Sequence, residues 1–391
     1  MTFFSSFIIC AVFACCYVSA DKILSIPLKM KDSPLTAMLK QSVHPNVITA
    51  ILKAEAKGHF PLPLKYNYMR NEYFTEIHLG QPGQKFIVSF DTTWLDSWVP
   101  SSSCSFSSVQ CMIRNQYNEN KSRTSIKTPY NFHVTLGNSD LAGNIFNDLL
   151  NINGVNVTSQ SFAAVSEIPW LFVYSSFDGI FGMGLDHYDK IVPVMWNLKK
   201  QKIIDQLVFS FHFKGDEGSM VLGGVDSAHY EGNFTYFNVV NSDPPQWMVR
   251  VDDMTLTRSK NETIKVCKSG CNAVMSTGGS QIYGPSKDIA AINSFIKAKD
   301  LPIGGLYYVS CSEVPKLPNI TISLGNTPFV LEGHDYIQKV KMTWFKHLCI
   351  SAFTSNYDDN DDSWYVGGAF MSRYYTTFDM LNGKIGFATA K

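Results

Sequence analysis

Two short stretches of the 391-residue chain carry side chains suited to acid–base chemistry. Residues 90–100 read FDTTWLDSWVP and place Asp91 inside an apolar run, while residues 275–285 read MSTGGSQIYGP and place Ser276 at the matching position. A carboxyl group among apolar residues is typical of sites where the protein shifts a pKa for function. Asp91 is therefore the first candidate catalytic residue, and its chemistry depends on what faces it.

The two stretches belong to an internal repeat. Asp91 and Ser276 are 185 residues apart, and so are Gly182 in FDGIFGMG and Gly367 in WYVGGAF. Two matching offsets indicate a duplicated lobe. We expect two homologous lobes related by a pseudo-twofold axis, with positions 91 and 276 facing each other at a central cleft, where ligands tend to bind.

Short β-branched and aromatic runs make up most of the chain past residue 66. Examples are KFIVSF (85–90), NFHVTL (131–136), QLVFSFHF (206–213) and NITISL (319–324), separated by Gly, Pro and Asn. Such runs at short intervals predict an all-β architecture. Two helices are predicted as well, at 192–204 and at 287–300 after the candidate N-cap Ser286.

Residues 1–20, MTFFSSFIICAVFACCYVSA, are predicted to be a cleaved signal peptide, because the run is apolar, uncharged and ends in Val-Ser-Ala. A membrane anchor is the alternative, but the run is short and no basic cluster follows it. We expect a secreted, extracellular protein without a membrane span once the signal is removed. A lysosomal or other endomembrane compartment is the alternative destination.

Residues 21–59 form a separate basic segment, with six lysines against three acidic residues. Within it, residues 34–57 show apolar residues at helical spacing. We interpret 21–59 as a pro-segment that docks onto the rest of the chain through its charge and its apolar face; a surface arm is the alternative. The predicted lobes are then 60–237 and 238–391.

Six cysteines remain after the signal peptide, an even number that indicates three disulfides in an exported chain. Six cysteines allow fifteen pairings; pairing nearest neighbours gives Cys104–Cys111, Cys267–Cys271 and Cys311–Cys349. Their spacing does not fit a zinc site. Five Asn-x-Ser/Thr sequons are candidate glycosylation sites. They begin at Asn120, Asn156, Asn233, Asn261 and Asn319.

Charge and motifs exclude several function classes. The 33 basic and 33 acidic residues balance, so nucleic acid is not an expected partner. The acidic run YDDNDDS (357–363) lacks the spaced ligands and glycine of a calcium loop, so a solvated loop is the simpler interpretation. His44, His59 and His229 show no metal spacing. We expect no metal, no cofactor and a monomer.

Taken together, these segments resemble the pepsin-like aspartic proteases, peptidase family A1, from about residue 22 to 391. The matching stretches include KYNYMRNEYFTEIHLGQPGQKFIVSFDT, DGIFGMG, CNAVMSTGGSQIYGP and WYVGGAFMSRYYTTFDMLNGKIGFA. The resemblance implies a bilobal all-β fold, a cleft for an extended peptide, a flap hairpin over it and the same three disulfides. It also implies proteolysis by two carboxylates that share one proton, one from an Asp-Thr-Gly motif in each lobe.

This chain departs from that pattern around the active centre. The first motif is Asp91-Thr92-Thr93, in which Thr replaces Gly and is expected to crowd the site of the active water. The second is Ser276-Thr277-Gly278, so the second carboxylate is absent, and a Ser hydroxyl does not titrate near neutral or acid pH.

Two further positions differ from the family. In the flap stretch HVTLGNSDLAG (133–143), Leu136 precedes Gly137 where the family carries a Tyr whose hydroxyl joins a network reaching the catalytic centre. Trp94 takes a position usually held by Ser. The scaffold is otherwise kept: Thr92 and Thr277 are expected to exchange hydrogen bonds between the lobes, and Trp98, Gly182 and Gly367 to support the loops.

Two functions follow from this pattern. The first is a secreted, inactive or strongly impaired homologue that binds peptides or proteins in its cleft and keeps its own pro-segment. In this hypothesis Asp91 is a buried structural carboxylate that accepts hydrogen bonds from Ser276, Thr277 and backbone amides. The second is an acid endopeptidase in which Asp91 remains the catalytic carboxylate. Ser276 as a nucleophile is disfavoured, because no His lies near either loop in the sequence.

Overall fold

A computed structural model describes ten ranges of the chain. They are 21–31, 72–105, 108–136, 139–169, 172, 175–185, 190–301, 306–341, 347–356 and 361–391. The predicted signal peptide and the predicted helix at 34–57 lie outside the described residues, so both stay predictions. The boundary between the predicted lobes also stays a prediction.

Strands dominate the described chain, which confirms the all-β prediction. The first eight are β1 (Leu24–Lys31), β2 (Glu72–Leu79), β3 (Gln84–Asp91), β4 (Trp98–Pro100), β5 (Ile126–Leu136), β6 (Ser139–Ile152), β7 (Val155–Glu167) and β8 (Gly179–Gly182). The next nine are β9 (Val208–Lys214), β10 (Glu217–Leu222), β11 (Tyr230–Asn238), β12 (Met248–Val251), β13 (Asp253–Ser259), β14 (Glu262–Val266), β15 (Cys271–Met275), β16 (Ile282–Gly284) and β17 (Lys299–Asp300). The last nine are β18 (Tyr307–Val309), β19 (Asn319–Leu324), β20 (Thr327–Leu331), β21 (Ile337–Lys341), β22 (His347–Ser351), β23 (Phe353–Ser355), β24 (Trp364–Val366), β25 (Tyr374–Asp379) and β26 (Lys384–Ala390).

The helices are short. They are α1 (Val109–Met112), α2 (Val194–Lys200), α3 (Ser286–Phe295), α4 (Gly333–Tyr336) and α5 (Gly368–Met371), with 3-10 turns at Glu119–Lys121, Ser227–His229 and Val314–Lys316. Among the helices in the described ranges, none is long and apolar enough to cross a membrane.

Both predicted helices exist, but each is shorter than its pattern. The predicted helix at 287–300 ends as α3 at Phe295, because Lys297 takes a left-handed backbone conformation (φ 58°) and residues 299–300 form β17. Ser286 is the first helical residue rather than the N-cap, which is Pro285.

One sheet of thirteen described strands joins both predicted lobes. Its order is β11-β26-β25-β9-β10-β1-β2-β3-β8-β4-β7-β6-β5. β1, from the predicted pro-segment, lies inside this sheet and pairs antiparallel with β10 and β2. Its alternating residues Leu24, Ile26 and Leu28 are buried in the main hydrophobic core, so these eight residues are a structural strand of the fold.

The predicted repeat is present as two copies of one four-strand unit. In the first copy, β3 runs parallel to β8, β8 lies antiparallel to β4, and β4 runs parallel to β7. In the second, β15 runs parallel to β24, β24 lies antiparallel to β16, and β16 runs parallel to β23. The copies place the ends of β3 and β15 in equivalent positions. Asp91 is the last residue of β3, and Ser276 directly follows β15.

The three nearest-neighbour disulfides are confirmed. Cys104–Cys111, Cys267–Cys271 and Cys311–Cys349 are all bonded. The first braces α1, and the second closes the turn between β14 and β15. The third ties the stretch after β18 to β22. All five sequon asparagines, which are Asn120, Asn156, Asn233, Asn261 and Asn319, are exposed.

Candidate active site

The first loop begins at Asp91, at the end of β3, and the second begins at Ser276, directly after β15. Each loop leaves a buried strand and lies over a glycine of its own copy of the four-strand unit. A Cβ on Gly182 would come within 2.5 Å of the Leu95 carbonyl, and one on Gly367 would come within 2.3 Å of the Gly279 carbonyl. Both distances are far below van der Waals contact, so only glycine lets these backbones approach. The supporting role predicted for Gly182 and Gly367 therefore has a steric basis.

Thr92 and Thr277 connect the two loops through four buried hydrogen bonds. The Thr92 amide donates to the Thr277 hydroxyl (3.0 Å), and the Thr277 amide donates to the Thr92 hydroxyl (3.1 Å). The Thr92 hydroxyl donates to the Met275 carbonyl (2.6 Å), and the Thr277 hydroxyl donates to the Phe90 carbonyl (2.7 Å). Every partner in one loop is matched 185 residues away, which confirms the predicted exchange and its pseudo-twofold symmetry.

Asp91 is almost fully buried, with 1% of its surface exposed. The Thr93 amide (2.8 Å) and the Thr93 hydroxyl (2.7 Å) both donate to its Oδ1 atom. Burial raises the pKa of Asp91 from 3.8 to about 6, and the two Thr93 hydrogen bonds oppose this rise. In acid, Asp91 is therefore a neutral carboxylic acid rather than a carboxylate.

The donors to Asp91 are partly those expected. Burial and a backbone amide donor were predicted correctly, since the Thr93 amide donates to Oδ1, but the second donor is the Thr93 hydroxyl rather than Ser276 or Thr277. Thr277 is not available because its hydroxyl is directed to the Phe90 carbonyl. The Ser276 hydroxyl makes no hydrogen bond to any residue that the structure describes. Thr93, which was expected to crowd the centre, instead binds the carboxyl group directly.

The second loop approaches Asp91 through its backbone. A Cβ on Gly278 would lie 2.1 Å from Asp91 Oδ2, so a bare glycine is required at this contact. Gly279 has open space on its side-chain face. Ser276 is half-buried and its amide donates to the Val366 carbonyl (3.0 Å). The loop therefore keeps its position without a carboxylate at 276.

The β5–β6 pair forms the antiparallel hairpin expected for the flap. Leu136 is 4% exposed and belongs to a hydrophobic cluster that also contains Trp94 and Trp98. The Trp98 Nε1 atom is buried without a hydrogen-bond partner among the described residues. A Leu cannot accept this hydrogen bond, so the flap contact here is apolar. Gly137 lies outside the described residues.

Sequence reasoning missed the residues that support the hydrophobic cluster of Leu136, Trp94 and Trp98. The Arg114 guanidinium donates to the carbonyls of Phe172 and Phe177. Phe172 in turn packs edge-on against Trp98, with ring centroids 5.0 Å apart. No signal in the sequence links Arg114, beside α1, to Phe172 and Phe177, because the hydrogen bonds are to backbone carbonyls.

Asp96, in the same quoted stretch as Asp91, was also missed. Burial raises its pKa to about 6, against the opposing charge of Lys190. An acidic residue between Leu95 and Ser97 in an apolar run was the available signal. Elsewhere in the described ranges, no three His, Cys, Asp or Glu side chains are grouped to bind a metal.

Comparisons with known proteins find similarity along most of the chain. The family model described as eukaryotic aspartyl protease matches residues 72–390. Cathepsin D of Chionodraco hamatus is 34% identical over 97% of this chain and 98% of its own length. Cathepsin D of Gallus gallus is 34% identical over 88% of each chain, and cathepsin D of Homo sapiens is 35% identical over 86% of this chain and 85% of its own.

Thr92→Val and Thr277→Val are expected to destabilise the junction between the loops. Each substitution leaves buried carbonyl and amide groups unpaired, so the free energy of unfolding should fall by about 2–4 kcal/mol in urea titrations. The double variant should lose less than the sum, because the two residues share partners. Thr257→Val, at an exposed Thr outside the sequons, is the matched control and should change stability by less than about 0.5 kcal/mol. Additive losses would contradict a reciprocal junction.

The Asp91 carboxyl is expected to make the protein more stable in acid than at neutral pH. Its folded-state pKa lies above its unfolded value, so the folded state binds more protons between about pH 4 and 6, and stability falls as pH rises through this window. The rise of the pKa from 3.8 to about 6 corresponds to roughly 3 kcal/mol. Asp91→Asn should remove this contribution in denaturation curves recorded from pH 4 to 7.5. An unchanged pH profile would contradict the raised pKa.

Proposed function

This chain belongs to the eukaryotic aspartyl protease family, and from that premise we propose that it is a secreted, catalytically impaired member that binds peptides or proteins in its cleft. The observation that carries the proposal is the pair of loops itself. Across residues 91–93 and 276–279, Asp91 is the one side chain that titrates, and the equivalent position holds Ser276. A pair of carboxyl groups that shares one proton cannot form.

The environment of Asp91 also disfavours action by a single carboxylate. With a pKa of about 6, Asp91 is protonated in acid, where the family's reaction needs a carboxylate to draw a proton from water. Above that pH it ionises, but residues 276–279 of the opposite loop supply no carboxyl group to protonate the substrate carbonyl. The Thr93 hydroxyl also donates to Oδ1, which supports a role in which the carboxyl does not act as the catalytic base.

The protease assay tests this proposal directly. Wild type, Asp91→Ala, Ser276→Asp and the double variant Ser276→Asp/Thr93→Gly are incubated with denatured haemoglobin from pH 2 to 7, with and without pepstatin. Wild type should show no cleavage. The double variant should gain activity, because it restores the second carboxyl at position 276 and the glycine at position 93. Losing one member of such a catalytic unit costs on the order of 10⁴ or more in rate, so the gain should be large.

The outcome that supports the competing function is equally specific. If wild type shows pepstatin-sensitive cleavage that Asp91→Ala abolishes, the chain is an acid endopeptidase with Asp91 as its catalytic carboxylate. Folding of every variant is checked by near-ultraviolet circular dichroism. If the double variant folds but is inactive, departures from the family outside the two loops also prevent catalysis. One such departure is Leu136, which replaces the flap Tyr.

We further propose that the pro-segment stays attached, because a chain without the paired carboxyls cannot remove it by its own activity. Burial of Leu24, Ile26 and Leu28 in the core supports this retention, since release of β1 would expose them to water. Protein purified from a secreting host should begin at or near Asp21 and stay intact at pH 3–5.

Mass spectrometry checks this retention, with Asp91→Ala incubated in parallel. Trimming of wild type alone near residues 57–66 would show self-processing and contradict the proposal. Trimming of both proteins would show that a separate protease makes the cut.

A further inference from the structure

The second loop carries a hydrogen-bond donor whose symmetry partner in the first loop binds a carboxylate. In the first loop, the amide two residues after the acid, that of Thr93, donates to Asp91 Oδ1 at 2.8 Å. The equivalent amide in the second loop belongs to Gly278, and the equivalent acceptor position is Ser276. Neither the Gly278 amide nor the Ser276 hydroxyl has a hydrogen-bond partner within the described part of the chain.

Asp91, in the first loop, adds a carboxyl oxygen to the Gly278 amide and the Ser276 hydroxyl. Both hydrogen bonds to its side chain end on Oδ1, while Oδ2 lies against the Gly278 backbone, where a Cβ would approach to 2.1 Å. Gly279, the next residue, has open space within 4 Å of its Cβ position. The amide, the hydroxyl and the carboxyl oxygen therefore belong to two loops that the Thr92 and Thr277 hydrogen bonds hold together, and the open space lies beside them at Gly279.

We propose that the second loop binds a carboxylate of a peptide ligand, held by the Gly278 amide, the Ser276 hydroxyl and Asp91 Oδ2. The ligand's carboxylate takes the place of the missing second carboxyl and shares one proton with Asp91 Oδ2. This inference rests on the proposed binding function and names the chemistry of its ligand: an acidic side chain or a C-terminal carboxylate.

The proton that the pair shares makes binding depend on pH. Two carboxyl groups in contact cannot both ionise, so the complex requires Asp91 in its neutral form. Burial, which sets the pKa of Asp91 at about 6, meets that requirement in mildly acidic solution. The elements packed against Asp91, residues 181–183 and 276–279, add no titratable side chain. Asp96 on the same loop interacts with Lys190 instead.

Acetate and three matched peptides test the site. The peptides share one sequence with a central Asp and an amidated end, a central Asn and a free end, or a central Asn and an amidated end. Affinities are measured by isothermal titration calorimetry at pH 5.5 and 7.5 on full-length protein, with 13C-carboxyl NMR following Asp91. Acetate and at least one acidic peptide should bind about twentyfold more weakly at pH 7.5, following the loss of neutral Asp91.

Variants locate the binding. Ser276→Asp supplies the chain's own carboxylate at this position and should weaken acetate binding at least tenfold. Ser269→Asp, which adds the same charge at an exposed serine of the same lobe, is the matched control and should bind acetate as wild type does. Thr93→Val removes a hydrogen bond that lowers the Asp91 pKa, so binding should extend to higher pH.

The outcomes separate this inference from the proposed function. Equal affinity for all three peptides, in a protein that hydrolyses none of them, keeps the binding function and overturns the carboxylate site. Acetate binding that survives in Ser276→Asp also overturns it, because the ligand then sits elsewhere. Preference for the Asp peptide or for the free-ended peptide tells which source of carboxylate the site accepts. Hydrolysis of the peptides by wild type would instead overturn the proposed function.

Discussion

The reciprocal hydrogen bonds between Thr92 and Thr277 are the constraint on which the rest of the site depends. Each threonine satisfies the backbone of the opposite loop, so neither loop reaches its full complement of hydrogen bonds without the other. Burial makes this exchange costly to break, because the freed amide and carbonyl groups have no water to bind. The buried Trp247 indole adds a second link by donating to the Met183 carbonyl (2.7 Å) beside the first loop.

This junction is independent of the chemistry at position 276. The second loop is fixed by Thr277, by the Ser276 amide and by close approach of its glycines, none of which needs a carboxylate at position 276. A side chain at 276 can therefore change without loss of the fold. The glycine at 278 is constrained differently, since its contact with Asp91 leaves no room for a Cβ.

Much of this arrangement was predictable from the sequence because it depends on repetition and residue type. The offset of 185 residues placed Asp91 opposite Ser276 and paired Thr92 with Thr277. Pairing of neighbouring cysteines was also correct. The hydroxyl donor to Asp91 was not predictable, because a threonine at 93 can either crowd the site or bind the carboxyl, and only the rotamer decides. Helix ends were missed where a left-handed residue such as Lys297 stops the helix.

The remaining question is why position 91 holds an Asp. Burying a carboxyl raises its pKa and destabilises the folded state at neutral pH. A purely structural position would tolerate Asn, which keeps the hydrogen bonds from Thr93 without that cost. A carboxyl with a pKa of about 6, however, can donate a proton in acid and repel an anion at neutral pH, which Asn cannot do. A titrating group is therefore useful at this position if the opposite loop receives a carboxylate from a ligand, and this favours a binding role for Asp91 over a purely structural one.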